Sequence, residues 1–366
     1  MGESRVKMRE AAMSREANVA IAGATGLVGR QFISILEERE FPMSSIRLLA
    51  SERSEGKRMR VKGLEVEVER LGEGSFEGVD IVLFSAGSGV SRRYSPIAAQ
   101  SGAVVVDNSK AFRMEETVPL VVPEVNGDDV LKHQGIIANP NCSTIQLVVA
   151  LDPIHRVNPI KRAIVDTYQS VSGAGGAGVQ ELEEQARAAV SGEEAKAVKM
   201  PHPIAFNVIP EIDTLLDNGY FNEEWKIVQE TRKIMHAPEM AISATAVRVP
   251  VYVGHSEAVH LELTDPMGPD EVREVLARAP GVRVIDDPSK SSYPLPVSAA
   301  GTDDVYVGRI RKDVSHPNGI AMWVVSDNVR KGAALNTVQI AEILVSGRGK
   351  EAMSSGHVPA AGAASL

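Results

Sequence analysis

Asn18-Val19-Ala20-Ile21-Ala22-Gly23-Ala24-Thr25-Gly26-Leu27-Val28-Gly29 is the stretch that decides the fold. Val19 to Ala22 form an apolar run short enough for a buried strand. The glycines make a turn, and residues 27–38 then place Phe32, Ile33, Ile35 and Leu36 on one helical face. A strand feeding a helix through glycines lets the backbone approach a pyrophosphate, which rests on the helix N-terminus. The spacing is G-x-x-G-x-x-G rather than the commoner G-x-G-x-x-G. A plain tight turn is the other reading. The strand–turn–helix context favours a dinucleotide, contacted by Gly23, Thr25, Gly26, Leu27 and Val28.

Further strands are expected at 46–50, 79–84, 103–107 and 135–138, with a helix at 91–101. Apolar strands alternating with helices predict a doubly wound parallel sheet with ligands at the strands' carboxyl ends. The texture changes after about residue 150. A strand is expected at 162–170, a flexible glycine loop at 172–178 and a polar helix at 179–190. Strands at 245–253 and 258–263 are expected to meet at Gly254-His255, with two more at 303–312 and 320–326. The fold class is therefore α/β: a Rossmann-type dinucleotide-binding domain followed by an α+β second domain. The expected boundaries are 17–146 for the first and 147–327 for the second. An apolar-faced helix at 332–344 is expected to pack back on the first domain, which segment 328–348 would complete. Residues 1–16 and 349–366 read as flexible tails.

The second strand selects the dinucleotide. An NAD site usually ends this strand with an acid that binds the ribose hydroxyls. Here Ser51 stands in that place, and Arg53 and Ser54 can bind a 2′-phosphate. This favours NADP. The alternative is a solvated charged turn, to which Lys57 and Arg58 also belong, and Glu52 weighs on that side.

Cys142 is the single cysteine of 366 residues. It follows Asn139-Pro140-Asn141 and precedes an apolar run, so it begins a helix. Helix-end N–H groups and dipole favour a thiolate there and offer donors to an oxyanion. A small buried apolar residue is the other reading.

One cysteine makes no internal disulfide, and a reducing, cytoplasmic setting fits best. No apolar run is long enough to span a bilayer, and residues 1–17 lack the pattern of a signal or transit peptide. The net charge of −9 without a dense Lys/Arg block argues against a nucleic-acid partner. No metal site is expected.

The chain resembles the aspartate-semialdehyde dehydrogenases in the glycine turn, in Asp107-Asn108-Ser109-Lys110-Ala111-Phe112-Arg113 and in Asn139-Pro140-Asn141-Cys142-Ser143-Thr144. It resembles them also in 167–175, 305–311 and 323–328. Lys110 stands where many members carry a small hydroxyl residue. The resemblance implies reduction of β-aspartyl phosphate by NADPH through a cysteine thioester, in lysine, threonine and methionine biosynthesis. It implies a homodimer or homotetramer built through the second domain. Cys142 would be the nucleophile, His255 the acid/base and Gln169 the group orienting the acyl. Arg248 would anchor the substrate carboxylate and Glu223 its ammonium. Arg113, Lys226 and Asn141 would bind phosphate, and Ser172, Gly173 and Asn328 the nicotinamide end. Without the resemblance, His255 reads as an exposed turn histidine, Arg248 as a solvated strand residue, Lys226 as half of a surface helix pair and Gln169 as a polar core residue. An acyl-phosphate or thioester reductase with another substrate, and a non-catalytic dinucleotide-binding homologue, are the alternatives.

Overall fold

The computed structural model describes residues 16–346. The expectations for the two tails lie, Glu16 apart, outside the described residues. Strand β1 (Ala17–Ala22) leads through the glycine turn into helix α1 (Leu27–Glu38). Phe32, Ile33, Ile35 and Leu36 form the buried face of α1, as their spacing predicts. Each such side chain contributes about 1.5–3 kcal/mol on burial. Strand β2 (Met43–Ala50) lies parallel to β1. Then come β3 (Arg58–Val61), β4 (Leu64–Arg70), β5 (Ile81–Phe84), helix α2 (Ser88–Gln100), β6 (Val104–Asp107) and β7 (Ile136–Ala138).

These make a seven-stranded sheet of order β3-β4-β2-β1-β5-β6-β7. Only the β3–β4 pair is antiparallel. The chain winds outward in opposite directions from the β1–β5 boundary, where the strand order reverses. A crevice for a ligand opens at that point. Gly23 sits there at φ +90, and a Cβ on it would lie 2.3 Å from the Ser85 carbonyl oxygen. Only glycine meets both demands.

Helix α3 (Cys142–Val157) leads into the second half, which holds β8 (Ile160–Gln169), α4 (Gly176–Val190), α5 (Asn222–Ile234), β9 (Ala241–Arg248), β10 (His255–Leu263), α6 (Pro269–Ala277), β11 (Val282–Val284), β12 (Val305–Lys312) and β13 (Gly319–Ser326). Its mixed six-stranded sheet has the order β11-β12-β13-β10-β8-β9. One face packs on α3, α5 and α6, where Leu147, Leu151, Ile227, Ile234, Val272 and Leu276 meet Val165, Val259, Leu261 and Val324. The opposite face carries Tyr168 and Trp323, whose ring centroids are 5.3 Å apart.

Four expectations need correction. Arg58 does not belong to a solvated turn: it opens the β3–β4 hairpin. Strand β9 ends at Arg248 instead of running to Val253, because Pro250 has no N–H to donate. Its successor β10 already begins at His255, and the two flank β8 on opposite sides. The glycine segment is not a loose loop. Val171–Ala174 form a 3-10 turn, and α4 starts at Gly176. Its backbone is pinned because the Val171 N–H donates to the Val251 carbonyl (2.9 Å) and the Ser172 N–H to the Tyr252 carbonyl (3.1 Å).

The last helix opens with a π-helical turn, Arg330–Leu335, and continues as α7 (Asn336–Ser346). Leu335, Val338, Ile340 and Ile343 enter the same core as Ile21, Ile35, Leu48 and Leu83 of the first sheet and α1. Lys331 in the π turn is fully buried. Its Nζ donates to both Glu124 oxygens (2.8 and 2.7 Å), to Asn336 Oδ1 (3.1 Å) and to Gln339 Oε1 (2.8 Å). Gly332 lies against the cysteine: a Cβ on it would stand 3.0 Å from Cys142 Cβ. π turns recur at functional sites, and this one is packed against the sulfur-bearing residue.

Candidate active site

Pro140 and Asn141 set the start of α3. Asn141 is its N-cap, with Oδ1 accepting from the N–H groups of Ser143 (3.0 Å) and Thr144 (3.3 Å). Cys142 is thus the first helical residue. The cap is held in turn by two acids of α5. The Asn141 N–H donates to Glu230 Oε2 at 2.6 Å, and its Nδ2 donates to Glu223 Oε1 at 2.8 Å.

Cys142 borders a cleft of about 640 Å³ between the two sheets. Arg113, Asn141, Gln169, Ser172, Gly173, Glu223, Lys226, Arg248 and Asn328 line it with the cysteine. The glycine turn reaches the cleft through Val28, while Gly23, Thr25, Gly26, Leu27, Ser51, Arg53 and Ser54 lie outside its lining. These last residues are nevertheless joined, since Thr25 Oγ1 donates to Ser54 Oγ at 3.3 Å. The 3-10 turn Glu52–Ser54 follows β2 and exposes Arg53, and Glu52 pairs with Arg70 at 3.4 Å. The Gly26 N-cap makes no side-chain hydrogen bond, and the first turn of α1 carries no acid. Such a helix start suits a phosphate group, so the residues fit a dinucleotide.

The cations are largely spoken for. Arg113 donates Nη1 to Glu230 (3.1 Å) and Nη2 to the Asn108 carbonyl (3.0 Å), while its buried Nε has no partner among the described residues. Lys226 Nζ binds both Glu223 Oε2 and Asp213 Oδ2, at 2.8 Å each. Arg248 donates Nη1 to the Ser170 carbonyl at 2.7 Å. Burial opposes ionisation of Glu223, but Lys226, Asn141 and Arg248 outweigh it and hold the carboxyl at about 2.

The thiol departs from expectation. Burial pushes the Cys142 thiol up to about 12, Glu223 adds to the rise, and Arg248, Arg113 and Lys226 only partly oppose it. The helix end fails to offset this because Asn141 consumes the N–H groups of Ser143 and Thr144, and Ile145 donates to the Asn141 carbonyl. The same bonds remove most of the backbone donors expected for an oxyanion. In the free protein Cys142 is a thiol.

His255 is not an exposed turn residue but fully buried. Its Nδ1 accepts from the Ser170 N–H at 3.1 Å, and its Nε2 has no partner among the described residues. Burial and the Arg248 charge lower its pKa to about 3. Gln169 donates Nε2 to Thr167 Oγ1 at 3.2 Å. Asn328 Oδ1 accepts from the Gly254 N–H (2.8 Å), Ser170 Oγ (3.0 Å) and Ser172 Oγ (3.1 Å), which ties three cleft segments together.

Two lining residues escape the sequence reading. Lys110 donates to Asp213 Oδ2 at 2.7 Å, the same oxygen that receives Lys226 and, at 2.9 Å, Asn222. Asp213 sits at φ +72, a strained setting for a residue other than glycine. Lys110 was visible as a departure from the resembling motif, whereas nothing in the sequence singles out Asp213. Below the cysteine, Gln146 accepts from Ser326 Oγ at 2.7 Å and turns its amide toward fully buried Glu257. Neither Glu257 oxygen completes a hydrogen bond of normal geometry.

The model of the semialdehyde dehydrogenase NAD binding domain matches residues 18–133, and that of the semialdehyde dehydrogenase dimerisation domain matches 151–331. The aspartate-semialdehyde dehydrogenase of Aquifex aeolicus is 56% identical over 331 residues, 89% of this chain and 97% of the relative. That of Bacillus subtilis is 51% identical over 340 residues, 91% and 98% of the two chains. The crystal structure of aspartate semialdehyde dehydrogenase II complexed with ASA from Vibrio cholerae is similar at TM-score 0.89 and 49% identity, covering 91% and 99%. That of aspartate semialdehyde dehydrogenase with NADP from Candida albicans has TM-score 0.71 and 28% identity, covering 90% and 98%.

Proposed function

The chain belongs to the aspartate-semialdehyde dehydrogenase family, and from that premise we propose that its cleft reduces L-aspartyl 4-phosphate to L-aspartate 4-semialdehyde with NADPH. The protein is an oxidoreductase with a nucleotide-binding domain and a role in amino-acid biosynthesis. The lysine, threonine and methionine branch is the one this product feeds. The observation that carries the substrate reading is the set of charges around Cys142. Arg248 and Glu223 offer a cation and an anion to an amino acid's carboxylate and ammonium, and Lys226 and Arg113 offer cations to a phosphate.

Cys142 Sγ attacks the acyl carbon, phosphate leaves and a thioester forms. Gln169 orients the acyl group, Asn141 holds the phosphate with Lys226 and Arg113, and His255 serves the substrate oxygen. NADPH, when bound, supplies the hydride that reduces the thioester. Gly23, Thr25, Gly26, Leu27 and Val28 hold its pyrophosphate at the start of α1. Exposed Arg53, with Ser51 and Ser54, meets the 2′-phosphate, and Ser172, Gly173 and Asn328 fix the nicotinamide end. The domain division is 17–146 with the described part of the last segment, 328–346, and 147–327. A homodimer or tetramer forms through the second domain, whose family model is a dimerisation domain. No helix among the described residues is long and apolar enough to cross a membrane, and a cytoplasmic setting suits a lone thiol.

The test follows NADP⁺ reduction with aspartate semialdehyde and inorganic phosphate. A phosphate-dependent absorbance rise supports the reading, and its absence at high enzyme concentration sinks it. Equal rates with NAD⁺ would overturn the part assigned to Ser51, Arg53 and Ser54. Cys142→Ser should abolish turnover while leaving NADPH binding intact.

A further inference from the structure

Glu223, Lys226, Glu230 and Lys233 recur every three or four residues along α5 and so share one face of that helix. Glu223 and Lys226 line the cleft, whereas Glu230 and Lys233 lie behind its lining. This rear pair grips the two loops that carry Arg113 and Asn141. Glu230, only 1% exposed, receives Arg113 Nη1 on Oε1 at 3.1 Å and the Asn141 main-chain N–H on Oε2 at 2.6 Å. Lys233 Nζ donates to three main-chain carbonyls of the loop after β6, those of Arg113 (2.8 Å), Glu115 (2.7 Å) and Val118 (2.9 Å). Arg113 is thus held both at its backbone and at its guanidinium. Asn141 is held at its N–H by Glu230 and at its side chain by Glu223.

We propose that Glu230 is a positioning residue for the phosphate subsite: its one buried carboxylate bridges Arg113 and Asn141 and sets their spacing, while Lys233 holds the Arg113 loop in place. This rests on the acyl-phosphate reading above and adds two residues that touch no substrate atom. Lys226, the third group assigned to phosphate, stands one turn before Glu230 on the same helix. Glu230 therefore registers two ligands of the first domain against a third that comes from the second. One helix fixes the geometry of all three before any phosphate arrives, so the anion meets a preformed site.

The residue type follows from the task. Two donors converge on the two oxygens of one side chain, and only an ionised carboxylate offers two acceptor oxygens with no hydrogen in the way. Its charge also balances the Arg113 guanidinium, which is itself buried. Glutamine has the same shape but a single acceptor oxygen. Its amide would face either Arg113 Nη1 or the Asn141 N–H, donor against donor. Aspartate keeps the charge and both oxygens on a stem one carbon shorter, which cannot span both donors from the same backbone. At Lys233, methionine keeps the apolar stem and removes the donors, and arginine restores donors to the loop carbonyls. A displacement of about 1 Å at a binding group can lower turnover by about a hundred-fold, so small movements of Arg113 and Asn141 are measurable.

The test measures steady-state NADP⁺ reduction by the full-length enzyme, with inorganic phosphate and aspartate semialdehyde varied in turn. Glu230→Gln should raise the KM for phosphate about ten-fold or more while that for aspartate semialdehyde changes less than about two-fold. Glu230→Asp should raise the phosphate KM by a smaller factor. Lys233→Met should shift it in the same direction, and Lys233→Arg should bring it back. Equal changes in both KM values, or a fall in kcat alone, mean that Glu230 only supports the fold, and they overturn the proposal. If Glu230→Gln does not fold, Glu230→Asp decides by the same comparison. Absence of phosphate-dependent turnover in the wild-type enzyme would instead remove the functional reading. A crystal structure of the Glu230 variant would still decide the geometry, and Arg113 and Asn141 found in their original places would overturn the positioning role.

Discussion

Glu257 should be a stored cost that Glu257→Gln releases in a pH-dependent way. The carboxyl is fully buried on the core side of β10, and burial raises its pKa well above the ordinary value, with only Gln146 opposing. The folded protein therefore keeps a proton that the unfolded chain gives up near pH 4.3. Because the native state binds more protons, stability falls as pH rises above that value, by about 1.4 kcal/mol per unit. The accumulated cost can reach at most about 1 kcal/mol at pH 5 and about 4 kcal/mol at pH 7. Glutamine removes the ionisation and gives Gln146 Nε2, which lacks a partner, an acceptor. Its own amide hydrogens offset the gain by about 1–3 kcal/mol, but equally at all pH values. The diagnostic is thus the difference: Glu257→Gln should gain on the wild type as pH rises from 5 to 7, by up to about 1.4 kcal/mol per pH unit. Urea unfolding of both proteins at these two pH values measures it. A stability difference that does not change with pH refutes a protonated Glu257.

Three other outcomes follow from the site and its supports. Lys331→Met leaves Glu124 buried without its cation, so urea unfolding should show a loss of about 3–5 kcal/mol, and a loss below about 1 kcal/mol would contradict a buried pair that matters to the fold. Asp213→Asn takes the competing carboxylate off Lys110 and Lys226, so the KM for phosphate should fall several-fold in steady-state kinetics, and an increase would contradict this arrangement. Because the thiol sits at about 12, iodoacetamide labelling of the free enzyme should be slow at pH 7 and rise about ten-fold per pH unit to pH 10, and Glu223→Gln should label faster at every pH; a plateau below pH 8 would mean a thiolate is already present.

The first domain was legible because its signals are contiguous. Strand, glycine turn and helix 27–38 lie side by side in the chain, and local periodicity suffices to place them. The β3–β4 hairpin carried a signal that the charge of its residues hid. Leu64, Val66 and Val68 alternate with Glu65, Glu67 and Glu69 after Lys62-Gly63, whose φ values of +46 and +80 make the turn. In the site, Asn141 and Cys142 were readable from the cap and the proline. The state of the thiol was not, because it is set by Glu223, Arg248 and Arg113 from distant segments and by burial. The histidine's environment likewise comes from Ser170, brought beside it by the β8–β10 pairing. Residue types could be read locally, but ionisation and tautomer are properties of the assembled cleft.

The return of α7 to the first sheet has a consequence for how the protein is made. Ile21, Ile35, Leu48 and Leu83 share their core with Leu335, Val338, Ile340 and Ile343. On the ribosome, every strand of the first sheet has emerged once Ala138 is out, yet this wall of the core is still untranslated. At ordinary synthesis rates the remaining roughly 200 residues take ~10–40 s. During that interval the nascent first domain presents an apolar face to solvent, and the intervening second domain must be made before it can be covered. Chaperone capture of nascent chains should therefore peak after the first sheet is complete and end only when the C-terminal helix is released.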